Sequence, residues 1–167
     1  MNEVLAQYGA TAPDADTFAY NACTSIDTLA NVAAEAYVEN ALGAQAKTRL
    51  GNLAQNLVNE YKDLANSTSW MSEESKQRVI EKLDNMTLNV LEPTGGYYDY
   101  SGLNLTPTDQ GGTLFSNYLK CKRYREACDN KLIGQSAIAA SPWYAISPTT
   151  NNAFYDSMSN SINIMPG

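Results

Sequence analysis

In the segment AQAKTRLGNLAQNLVNEYKDLANST, large apolar side chains stand at Leu50, Leu53, Leu57, Tyr61 and Leu64, each three or four residues from the last. At 3.6 residues per turn this spacing gathers all five on one side of a helix; in a strand, successive residues would face opposite ways. No other stretch of the chain has so strong a period. A helix with one apolar side must bury it against another element, so the chain is expected to be rich in helix, with these positions in its core.

Three further segments read as helix. After Pro13, Asp14 and Asp16 signal a start, because their charges suit the positive end of a helix dipole. From Ser25 onward Ile26, Leu29, Ala30, Ala33 and Tyr37 keep helical spacing as far as Gly43, a residue suited to ending a helix. This predicts one long helix or two in tandem. In SWMSEESKQRVIEKLDNM, Ser72 is an N-cap candidate, Glu73 and Glu74 fill the first turn, and Val79, Ile80 and Leu83 form the stripe. A last helix is expected from about Thr113 to Leu132, with Leu114, Tyr118, Cys121 and Cys128 on one face and the Gly134 region ending it.

Between these helices the period changes. Leu88 and Val90 alternate in TLNVLEP before Pro93, which suggests a short strand. TGGYYDYSGLNLTPTDQGG follows as a loop long enough to have structure of its own, its tyrosines packed over it more readily than displayed as a binding surface. The small-residue linker QSAIAAS leads to Pro142, Trp143 and a final β-hairpin. The expected fold is therefore mainly α, a bundle-like helical domain with a small β element. Its division is residues 1–135, helical with the Gly/Tyr-rich loop at about 93–112, and residues 136–167, linker and hairpin.

Composition excludes several functions. With 11 Lys and Arg against 18 Asp and Glu the net charge is -7, the wrong sign for nucleic acid. The one basic knot, Lys120, Lys122, Arg123 and Arg125, reads as the solvated face of an amphipathic helix. No apolar run approaches the roughly 20 residues that span a bilayer. There is no histidine, so neither a Ser-His-Asp arrangement nor a His-ligated metal can be built from these residues. Glu73 and Glu74 are adjacent and diverge by about 100° on a helix, which unfits them to flank one bond. On one helix Cys121 and Cys128 would lie about 10 Å apart, beyond the ~7 Å reach of a disulfide. One of them could pair with Cys23, but the expectation is buried or free thiols. Sequons at Asn66, Asn85 and Asn104 are expected by chance in so Asn-rich a sequence.

The hairpin carries the one motif that points to binding. Asn152-Ala153-Phe154-Tyr155 has the polar and aromatic mix of an exposed strand, and an edge strand offers N–H and C=O groups that an extended peptide can complete. Ala153 would let a second backbone come close. The Asn152 amide can donate and accept at once, which suits a peptide group.

WMSEESKQRVIEKLDNM, DYSGLNL, the Lys/Arg-bearing helix and SPWYAISPTTNNAFYDSMSNSINIMPG, in that order and at these separations, resemble the neprilysin and endothelin-converting-enzyme family of zinc metallopeptidases just upstream of its zinc site. That family has Trp-Met before a helix ending in Lys-Leu, then Tyr-Ser, then Trp-x-x-x-x-Pro leading to Asn-Ala-Tyr/Phe-Tyr and a strand ending near Pro-Ala-Gly. The match runs from about Cys23 to Gly167 and is carried by several motifs at once. It departs where the family's valine before Asn-Ala is Asn151 and where Met165-Pro166-Gly167 replaces Pro-Ala-Gly.

The resemblance implies that Asn152 and Ala153 hold the backbone of a peptide substrate on a strand lining the cleft. It places no catalytic residue and no metal ligand in this chain: zinc would belong to the parent enzyme, in a later HExxH helix. The resemblance implies that the chain is part of a zinc metalloendopeptidase of bacterial type, extracellular or cell-surface in location, with cytoplasmic as the alternative. Alone it would be inactive, with the remaining catalytic domain and peptide substrates as partners. The alternative is a non-catalytic binding module using the hairpin edge. Either way an uncovered hairpin would favour self-association.

Overall fold

The structure is a computed structural model that describes residues 7, 9, 11, 14–25, 29–135, 143 and 146–167, the Cys23 side chain excepted. The linker expected around 136–142 lies outside the described residues. The chain is mainly α with a small β element, as expected. Helix α1 (Ala15–Thr24) starts on Asp14, whose carboxylate accepts from the Thr17 amide at 2.8 Å. Its neighbour α2 (Ala30–Tyr37) buries Ala30, Asn31 and Ala34. The tandem pair expected here is present, but Gly43 does not end it. A π-helical stretch, Val38–Leu42, runs directly into α3 (Gly43–Ser67), with Gly43 at φ 73° as the joint, a conformation that glycine adopts without steric cost.

Helix α3 is the 25-residue element expected from the leucine period. It packs beside α4 (Glu73–Asp84), which begins on Ser72, the hydroxyl accepting from the Ser75 amide at 3.2 Å. Glu73 and Glu74 pair separately with Lys76 and Arg78, as first-turn acids of a helix do. The buried side of α3 is formed by Ala54, Val58 and Ala65. Leu53, Leu57, Tyr61 and Leu64, expected in the core, are instead exposed. Burial follows the smaller residues beside the stripe because they admit close approach, and the described residues do not extend over Leu53, Leu57, Tyr61 and Leu64.

Strand β1 (Thr87–Val90) is followed by Leu91, which is buried and held at φ 60° with its amide bonded to the Ile164 carbonyl at 2.8 Å. The Gly/Tyr-rich loop then folds back on α5 (Leu114–Asn130). Tyr100 stacks on Tyr124 at 5.9 Å, and the Tyr98 hydroxyl donates to Asp129 at 3.0 Å. The tyrosines are thus packing groups. Arg125 corrects the solvated-knot expectation: it is buried, with its guanidinium 4.2 Å from the Tyr98 ring centre and its Nε donating to Asp129 at 3.1 Å. Cys121 is buried and Cys128 half-buried, both as free thiols.

The hairpin is β2 (Ala153–Asp156) and β3 (Ser161–Ile164), antiparallel, and it is not isolated. Strand β3 also pairs in parallel with β1, giving the order β1-β3-β2. One face of this sheet carries Leu88, Val90, Ile162 and Ile164 toward α3; Ala54, Val90 and Leu91 form the core there.

The other face is polar and buried. Asn163 Oδ1 accepts from Asn89 Nδ2 at 2.8 Å and from Trp143 Nε1 at 2.9 Å, and its own amide donates to Ser161 Oγ at 3.0 Å. Asn89 Oδ1 accepts from the Thr94 amide at 2.7 Å. Every buried side-chain N and O among the described residues has a partner. Asn163→Ala removes the oxygen that accepts from both Asn89 Nδ2 and Trp143 Nε1, and is expected to cost about 3 kcal/mol in urea unfolding; a loss below about 1 kcal/mol would show the network to be dispensable.

Candidate functional site

The site is the outer edge of β2. Register fixes which groups face it. Met165 donates its amide to the Asn152 carbonyl at 3.1 Å, and Phe154 and Asp156 stand opposite Asn163 and Ser161. In an antiparallel pair alternate residues point their N–H and C=O to the same side, so Asn152, Phe154 and Asp156 face β3 while Ala153 and Tyr155 face outward. Beyond β2 the sheet has no further strand among the described residues.

Asn152 and Ala153 are both exposed. The Asn152 amide has no hydrogen-bond partner among the described residues, so both its donor and its acceptor are available beside the outward backbone of Ala153. The two residues that the sequence singled out, neighbours in the chain, thus stand at the edge of the sheet. An edge of this kind can take an extended chain by backbone pairing, with the amide gripping one further peptide group.

What holds this edge still was not legible in the motif. The hairpin turn is organised by Asp156, whose carboxylate accepts from the Met158 amide at 3.1 Å and from the Ser159 hydroxyl. Asn160 takes φ 47°, a conformation that asparagine tolerates, and donates from Nδ2 to the Lys82 carbonyl at 2.8 Å. Its Oδ1 accepts from the Tyr155 hydroxyl at 3.0 Å, and the Lys82 ammonium lies 5.3 Å from the Tyr155 ring centre. These links tie the hairpin to the end of α4. The dense Asn and Ser content of SMSNSINI was the only signal of this network, and by itself it reads as loop.

No three His, Cys, Asp or Glu side chains gather to hold a metal among the described residues. No helix among the described residues is long and apolar enough to cross a membrane.

The two hydrogen bonds to its carboxylate hold Asp156 below the ordinary aspartate range. A depressed folded-state value means that the turn gains stability above the unfolded-state pKa and loses it as pH falls through the folded one. The protection factor of the Met158 amide, its exchange rate divided into the intrinsic rate at the same pH, is therefore expected to fall only as the solution becomes acid enough to protonate Asp156. A protection factor already lost at neutral pH would contradict this role for Asp156.

Comparison with known proteins bears on these strands directly. The sequence model of Peptidase family M13 matches residues 5–93, more than half of the chain and inclusive of β1. No curated protein matches. Among solved structures the chain is similar to the zinc metalloprotease Zmp1 of Mycobacterium tuberculosis in its open state, at 23% identity and a TM-score of 0.75 over 96% of this chain and 24% of that one. The partial open state gives 24% identity and a TM-score of 0.71 over 98% of this chain and 26% of that one. The inhibitor complex gives 25% identity and a TM-score of 0.57 over 82% of this chain and 19% of that one. The chain thus spans about a quarter of the length of the proteins it matches, and the hairpin lies within that shared fold.

Proposed function

This chain belongs to peptidase family M13, and from that premise we propose that it is part of a neprilysin-like zinc metalloendopeptidase, in which it forms one wall of the substrate cleft. The observation that carries this reading is the outer edge of β2, unpaired among the described residues, where the Ala153 backbone faces outward beside an Asn152 amide that has no partner among them. A peptide laid along β2 in extended form pairs with Ala153 and Tyr155, while the Asn152 side chain donates to one peptide carbonyl and accepts from one peptide N–H. The small Ala153 side chain keeps the approach clear.

This chain contributes binding and orientation. Zinc, held by the remaining catalytic domain, supplies Lewis-acid chemistry to the reaction when bound. Fixing the peptide backbone at several points converts a mobile substrate into one with a defined position, which is where an edge strand adds to rate. The partners are peptide substrates and the rest of the same polypeptide.

In the polypeptide that continues from this chain into the zinc site, Asn152→Ala is expected to lower kcat/KM for a quenched peptide by about tenfold, near 1.4 kcal/mol, with zinc content unchanged. Unaltered kcat/KM would remove Asn152 from the cleft.

A further inference from the structure

The two ends of the β2 edge are held by different means. At its start Ala153 stands opposite Ile164, which packs on the core of Ala54, Val90 and Leu91. At its far end Tyr155 stands opposite Ile162 and is 43% exposed, so apolar burial does less to hold it. That end is held by Asn160, the half-buried residue before β3. Its backbone carbonyl accepts from the Thr87 amide at 3.0 Å, at the start of β1. Its Nδ2 donates at 2.8 Å to the carbonyl of Lys82, one of the last four of α4, which have no partner within a helix. Its Oδ1 accepts from the Tyr155 hydroxyl at 3.0 Å. One residue thus connects β1, α4 and β2, and it does so at φ 47°. Gly, Asn and Asp take that conformation most readily, and of the three only Asn carries both a donor and an acceptor.

We propose that Asn160 is a positioning residue for peptide substrates: it fixes the Tyr155 end of β2 and so sets how far along the edge an extended peptide pairs. The inference rests on the reading above that this edge receives a peptide backbone. Ala153 and Tyr155 are two residues apart, about 6.7 Å along the strand, so a peptide that pairs with Ala153 must be about two residues longer to pair with Tyr155 as well. Without the Asn160 side chain the Tyr155 hydroxyl loses this acceptor and the hairpin loses its link to α4, while Ala153 keeps its support beside Ile164. The loss is therefore confined to the far end of the edge and to peptides long enough to use it.

The test is the KM of a series of quenched peptides, lengthened one residue at a time at each end, measured with the polypeptide that continues from this chain into the zinc site and with its Asn160→Gly variant. Glycine accepts φ 47° and removes the side-chain amide. With the native residue, the lengthening that reaches Tyr155 should lower KM by about fivefold, the worth of one further backbone hydrogen bond. In Asn160→Gly that gain should vanish, while KM for the shortest peptides and kcat stay within about twofold. A general loss of structure would instead weaken peptides of every length alike. Asn160→Gly that keeps the gain, or that weakens short and long peptides equally, would overturn the proposal, as would absence of the gain with the native residue. If Asn160→Gly does not fold, Tyr155→Phe, which leaves the turn and the Lys82 link in place, decides by losing or keeping the same gain. Asn152→Ala separates the two readings: reduced kcat/KM there, with the length gain intact in Asn160→Gly, would refute this inference alone, whereas unaltered kcat/KM in Asn152→Ala would count against the proposed cleft.

Discussion

The side-chain hydrogen bond from Asn89 to Asn163 joins residues 74 positions apart and sits at the centre of the contact between β1 and the C-terminal hairpin. Around it β1 and β3 pair in parallel, a pairing that needs a long crossover and so depends on everything between them being folded. A buried amide pair without partners would destabilise the sheet; here Trp143, Thr94 and Ser161 satisfy it. The network also specifies register. A one-residue slip of β3 would bring Ile162 or Ile164 onto the polar face and break each of these bonds at once.

The position of β2 follows from that anchoring. Because β3 is held on one side by β1, β2 must be the edge strand, and the alternation of its backbone places Ala153 outward. Asp156 and Asn160 then fix the turn, and Asn160 secures it to the end of α4. The edge is therefore rigid for a reason that lies in buried polar contacts rather than in apolar burial. This suits the proposed role, in which the edge presents backbone groups at a defined spacing to an extended chain.

Much of this was legible in the sequence because it is local. Helical period, the Asp14 and Ser72 caps and the alternation of Leu88 and Val90 depend on neighbours within a turn or a strand, and the structure has helices and strand at those places. The hairpin was visible for the same reason, and Asn152 and Ala153 lie exposed at its edge. The parallel partner of β3 was not visible, since pairing across the chain leaves no periodic trace. Arg125 was misread because a charged residue on a helix is usually solvated, and only the loop tyrosines and Asp129 make its burial possible. Leu53 and Leu57 show the opposite limit: the stripe identified a face to be covered without identifying what covers it.

The central claim is that the outward edge of β2 receives a peptide backbone, and amide hydrogen exchange of the polypeptide that includes the zinc site tests it most directly. On adding a peptide whose scissile bond is reduced and cannot be cut, the Ala153 and Tyr155 amides should slow, while that of Phe154, already directed at β3, should change little. Binding that leaves Ala153 and Tyr155 unprotected and slows exchange elsewhere would contradict the account.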